Sequence, residues 1–557
     1  MSAGATAGTG TIENVGVLLV HGMGEQKRLE HLLGSARELA SFIAASPRTV
    51  RATVTDESGT SGSVIIDVLR RDTVADGAGT EKEMERRVRL HLREAWWADL
   101  GISGGLWEQA KFWLWGLGQW AARIVRRGDP SRNTVQLMDM PAFRYQQNPQ
   151  DEPGFWRQLP SRLLLLLAAL LAVLTFFTWS AAKQVVSLLS NRLPEPSLIF
   201  MFLGDVKIYE RPGGPGKGTL LDPEQPVRAT IRRRIVGAMT AMAARTDLDR
   251  WYMLAHSLGT IPAFNALQET ELALPNYLSE AEWNALPDGF KTDAPFKPDG
   301  ATPSTDRMMP RRPVWLGTND GISRLKLFER FAGLVTYGSP LDKFAALWPR
   351  VVPLNKQKAV FPGRCEWVNL YDRTDPVAAK LDAFGTPPDP AANGGKPIEL
   401  APQNFPCRAS LVFGLSHIRY FRPRPPGPKN MPAAIAEALV EGAGARLADA
   451  ALGAAVSRGE AWLRLAAALV QVALLGAALT AAAAALLLAI GKALPDRATA
   501  AVKWLVGGLS PDLLAMLQAG GRTALTASAG VVLALAVAAI LASGLARLLT
   551  EGSGRHG

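Results

Sequence analysis

The chain has 557 residues, 48% of them hydrophobic, with a formal charge of +11, which allows a large core and about two to four domains. The excess positive charge is compatible with an anionic membrane surface, but the basic residues are dispersed and no nucleic-acid motif accompanies them, so a nucleic-acid partner is excluded. The two cysteines, Cys365 and Cys407, have no CxxC spacing, which excludes a disulfide framework and metal–thiolate chemistry.

In chain order, residues 15–20 (VGVLLV) read as a buried strand ending in the tight turn His21-Gly22-Met23-Gly24. The pattern predicts a helix over 30–45, a strand over 64–69 and, from its charge spacing, a helix over 81–97. Residues 102–125 mix Trp107, Trp113, Trp115 and Trp120 with Lys111, Arg123, Arg126 and Arg127 close by, the composition of a membrane interface. Residues 163–180 carry no charge and are long enough to span a bilayer; 465–490 and 526–545 are Ala/Leu-rich and predict a C-terminal transmembrane hairpin. Elsewhere, segments at 198–209, 230–244, 251–255, 333–337, 366–371 and 409–415 alternate strand-like and helix-like signals. That is the rhythm of a mostly parallel sheet flanked by helices.

The chemistry concentrates where 251–255 runs into His256-Ser257-Leu258-Gly259-Thr260. Strand, sharp turn and helix around a serine present the hydroxyl above a sheet edge. A serine nucleophile needs a base. The chain has six histidines, of which His21, His31, His91 and His256 precede Ser257 and His556 is in the tail. That leaves His417, in a loop after a strand-like segment, where the base follows serine and acid in chain order. The carboxylate that orients the base is assigned to Asp375, before Pro376, with Asp372 as nearest rival and Asp342 as a weaker one. For the oxyanion, the backbone N–H of Leu258 and one from the first turn, Met23 or Gly22, are the expected donors. His21 is read as a structural member of that turn.

Together, HGMG at 21–24, AHSLG at 255–259, YGSP at 337–340, DPV at 375–377 and His417 resemble the α/β-hydrolase superfamily, especially its lipases and esterases. The resemblance covers roughly 15–420 and implies acyl-ester hydrolysis without metal or cofactor. Ala255 departs from the glycine usual at that position.

These readings give an expected layout: residues 1–101 and 204–425 as the two parts of an α/β-hydrolase domain, with 268–329 as a possible lid. Residues 102–203 form a membrane-associated insertion, and 426–557 a linker and membrane hairpin. Turn 21–24 and Ser257 lie on either side of 163–180 yet must meet, so a single crossing there is excluded and a membrane-embedded hairpin is favoured. The expectation is an integral-membrane serine hydrolase, its catalytic part cytoplasmic, acting on lipid-like or amphiphilic esters in contact with membrane lipids. The alternatives are an acyltransferase with the same triad, or a catalytically idle scaffold.

Overall fold

The computed structural model describes residues 12–22, 27–57, 62–75, 81–100, 135–137, 140–143, 227–293, 310, 312–347, 351–352, 360–362, 365–375, 377–384, 398–410, 415–421, 430–442 and 445–464, with 466–467 and 470–471 beyond. Its centre is an eight-stranded sheet. In chain order the strands are β1 (Ile12–Val20), β2 (Thr49–Glu57), β3 (Ser63–Ala75), β4 (Glu81–Glu94), β5 (Arg250–His256), β6 (Phe331–Tyr337), β7 (Glu366–Tyr371) and β8 (Pro402–Pro406). Their order across the sheet is β8-β7-β6-β5-β1-β4-β3-β2. The pairs from β8 to β4 are all parallel, and β3 pairs antiparallel with both β4 and β2.

Both faces of the central strands are buried. On β1 and β5, Leu18, Val20, Trp251, Met253 and Ala255 enter one core cluster, while Val17, Leu19, Tyr252 and Leu254 enter the other. This is the period-two alternation of a strand, with an apolar residue on each side because helices cover both faces. One face carries helices α2 (Val227–Ala243) and α3 (Thr260–Gln268). The other carries α1 (Glu30–Ala44), α4 (Met431–Val440) and α5 (Leu447–Ala454). Each fully buried leucine or valine in these layers contributes about 1.5–3 kcal/mol.

From β1 the chain crosses to the edge strand β2, works back inward through β3 to β4 beside β1, then passes to the other side of β1 with β5. The direction of winding reverses between β1 and β5. The crevice above the carboxyl ends of strands at such a reversal is where an open α/β sheet places its ligands.

Several expectations are corrected. Residues 81–94 are a strand, not a helix: Val88, Leu90 and Leu92 point into the core while Arg87, Arg89 and Arg93 alternate with them. Strand β8 occupies 402–406, ahead of the expected 409–415, and β2 was not foreseen. The apolar residues expected beneath a lid, Leu274, Tyr277, Leu278, Trp283, Leu286 and Phe290, are packed into the same cluster as α2. In the described parts of 268–329, these six residues line the core.

The membrane-embedded helices are also corrected. Among the described residues, no helix is long and apolar enough to cross a membrane, and the architecture is mixed α/β with a large, mostly parallel sheet. Residues 102–125, 163–180, 472–490 and 526–545 lie outside the described residues. In the described C-terminal part some apolar groups pack against the sheet, whereas Leu452, Trp462, Leu463 and Val470 are exposed. Ile435, Leu439, Leu447 and Ala451 lie in the sheet's core, so the packed unit runs past residue 425. Arg446 pairs with Glu366 and Arg464 with Asp372.

Candidate active site

Ser257 follows β5 directly and has φ of +51°, inside the left-handed region. That conformation costs a residue with a Cβ about 1–2 kcal/mol. The turn is forced by its neighbours. The Ser257 carbonyl accepts from the Thr260 hydroxyl at 2.7 Å and from the Thr260 N–H. A Cβ on Gly259 would overlap the His21 carbonyl oxygen, and one on Gly22 would come within 2.7 Å of the Ser257 Cβ. The glycines let the two turns, after β1 and after β5, press together. Ala255, one residue before the turn proper, is fully buried in the core, and its methyl is accommodated there.

His417 lies in a short 3-10 turn, Leu415–Ile418. Its Nε2 accepts from Ser257 Oγ at 2.7 Å, and its Nδ1 donates to Asp375 Oδ2 at 3.0 Å. The neutral tautomer with hydrogen on Nδ1 satisfies both bonds. Ser257 and Asp375 are buried, and His417 retains 13% side-chain exposure. The three residues chosen from sequence thus converge from three strand ends.

Asp375 has two further donors: the Val377 N–H at 2.8 Å and the Tyr420 hydroxyl at 2.8 Å. Burial alone would push its carboxyl up, but His417 and these donors outweigh it and hold the carboxyl below the ordinary value. Burial and the Asp375 charge push the Tyr420 phenol well up, so it stays a donor. Tyr420 also accepts from the Asp372 N–H at 3.0 Å, bridging the acid loop and the base loop. The rivals have other duties. Asp372 accepts from the N–H groups of Thr374, Ala409 and Ser410, and Asp342 pairs with Lys343.

Two supporting residues escaped sequence reasoning. Tyr420 is one, and only its place three residues after the base hints at a role. His256 is the other. Its ring stacks on Tyr337 at 4.9 Å and 20°, and its Nε2 donates to the His417 carbonyl at 2.8 Å. Desolvation by its surroundings, aided by His417, lowers its pKa to about 3, so it remains a neutral donor. Gly338, with φ of +63°, turns beneath this ring; a Cβ there would lie 3.3 Å from it.

On the oxyanion side, the Leu258 N–H belongs to the first turn of the helix entry, whose donors have no intrahelical acceptor. Gly22 lies against Ser257, whereas Met23 lies outside the described residues. His21 is buried and stacks on Trp97 at 5.0 Å. Its Nδ1 donates to the Gly22 carbonyl at 2.7 Å and its Nε2 accepts from the Trp97 N–H at 3.0 Å. Burial lowers its pKa to about 4, and it braces the turn. Among the described residues, no group of three or more His, Cys, Asp or Glu is placed to hold a metal ion.

No family model, curated protein or solved structure matches the chain.

Proposed function

We propose that this chain is a serine hydrolase of carboxylic esters, working through an acyl-enzyme on Ser257. The observation that carries the reading is the unbroken relay Ser257 Oγ–His417–Asp375, with contacts of 2.7 and 3.0 Å. It supports a nucleophile activated by a base within proton-transfer reach.

Ser257 Oγ attacks the acyl carbonyl carbon while His417 Nε2 takes its proton. Asp375 holds the imidazole in the productive tautomer and stabilises the imidazolium that forms. The oxyanion is placed against the N–H groups of Leu258 and the Gly22 turn, each such donor being worth about 10²–10³ in rate. The intermediate collapses, His417 returns the proton to the leaving alcohol, and an acyl-serine remains. Water, deprotonated by the same histidine, then releases the acid. Support also comes from the αL backbone at Ser257, since strain of this kind concentrates where chemistry needs it.

The test is turnover of a short-chain p-nitrophenyl ester by the purified full-length protein. The expected result is turnover that S257A abolishes and H417A lowers by about 10²–10⁴-fold. A folded wild-type protein that cleaves no ester in a chain-length series would refute the reading.

A further inference from the structure

The acid and base of the candidate triad sit on two separate loops, after β7 and after β8, and a third segment much later in the chain fastens these loops together. That segment is the helical stretch 458–464. Glu460 forms a two-pronged pair with Arg408, one contact at 2.7 Å, just after β8. Trp462 is covered by the guanidinium of Arg373, 5.3 Å from its ring centroid, in the loop after β7. Arg464 is buried at 4% exposure and reaches the fully buried Asp372 at 2.7 Å. Its same nitrogen, Nη2, donates to the Ser410 carbonyl at 2.6 Å. Three residues at alternate positions thus grip both loops.

Asp372 is the hub of the turn that aims Asp375. Its carboxylate accepts from the Thr374 N–H at 2.8 Å and the Thr374 hydroxyl at 2.9 Å. It also accepts from the N–H groups of Ala409 and Ser410. Its own carbonyl accepts from the Asp375 N–H at 2.9 Å. Arg464 is the cation paired with this buried carboxylate, and removing one partner of a buried pair leaves the other charge uncompensated. We infer that Arg464 is a positioning residue for catalysis. By neutralising Asp372 and bonding Ser410, it sets the separation of the acid loop and the base loop, and so the alignment of Asp375 with His417. The C-terminal helical segment is therefore part of the catalytic apparatus rather than an appendage to it. This inference rests on the Ser257–His417–Asp375 reading.

The experiment measures fluorophosphonate labelling rate and p-nitrophenyl ester kinetics for full-length R464M, R464K and D372N, with urea unfolding of each. In R464M, which keeps the length and loses the charge, labelling rate and kcat fall at least tenfold, with KM within twofold of wild type. R464K, which can still donate to Asp372 and Ser410, stays within threefold. D372N falls like R464M, and D372N/R464M is no slower than the worse single variant, because both break one device. A purely structural arginine would lower the urea midpoint and leave the labelling rate of the folded protein unchanged; R464M within twofold of wild type overturns the inference. Should R464M fail to fold, D372N within twofold of wild type overturns it equally. Absence of labelling in wild type would instead remove the hydrolase reading itself.

Discussion

The Nε2 of His256 donates to the backbone carbonyl of His417 at 2.8 Å, so the residue before Ser257 holds the main chain of His417. The two rings lie 5.2 Å apart, with Tyr337 stacked behind His256. Losing this bond frees the 415–418 turn to drift. A neutral hydrogen bond is worth about 0.5–1.5 kcal/mol, so H256F should lower kcat about three- to tenfold with little change in KM. H256Q, which retains an N–H donor, should lose less. Steady-state kinetics of the two variants check this; equal losses would show that the donor is not what matters.

Acid should weaken the fold in two separate windows. An unfolded histidine takes its proton near pH 6.5, whereas in the fold His256 does so at about 3 and His21 at about 4. Between these values the unfolded chain binds more protons, so stability falls as pH drops below about 6.5. Asp375 acts lower: its folded value lies beneath 3.8, so its contribution is intact above that pH and fades as pH falls through the lowered value. The urea midpoint should therefore decline between pH 7 and 4.5, and less steeply in H256Q. A flat midpoint over that range contradicts the neutral, desolvated state of these rings.

Strain at Ser257 makes a stability prediction that is independent of activity. Both S257A and S257G remove the Ser257 hydroxyl, but alanine keeps the penalty of φ at +51° and glycine relieves it. S257G should be more stable than S257A by about 1 kcal/mol. Urea unfolding of the pair measures it, and an S257A equal to or more stable than S257G would mean the turn is unstrained.

The alanine at 255 should be replaceable and the glycine at 259 should not. A255G empties a methyl from a buried strand position and should cost about 1 kcal/mol while leaving esterase activity in place. G259A drives a Cβ into the His21 carbonyl. It should separate the two turns, with loss of ester turnover or of folding. Expression, unfolding and turnover of both variants decide the point; a fully active G259A contradicts the tight apposition.

The meeting of Ser257, Asp375 and His417 was legible because chain order and local pattern are sequence properties: each follows a strand, and five of six histidines could be set aside. The strand at 81–94 was not, because its charges mimicked a helix face. The deciding signal was the alternation of Val88, Leu90 and Leu92 with arginines. β8 was displaced because Pro402 and Pro406 argued against a strand, yet as the edge of the sheet it tolerates them. The pairing of Arg446 with Glu366 and of Arg464 with Asp372 joins residues far apart in the chain, and only the fold shows it. Tyr420 and His256 support the triad through contacts that no spacing rule announces.

The most direct measurement is mass-spectrometric mapping of a fluorophosphonate adduct on the full-length protein. The account predicts one adduct, on Ser257, formed at least about a hundredfold more slowly in H417A and absent from S257A. Labelling that persists unchanged in S257A, or a folded wild-type protein that takes up no probe, would contradict it.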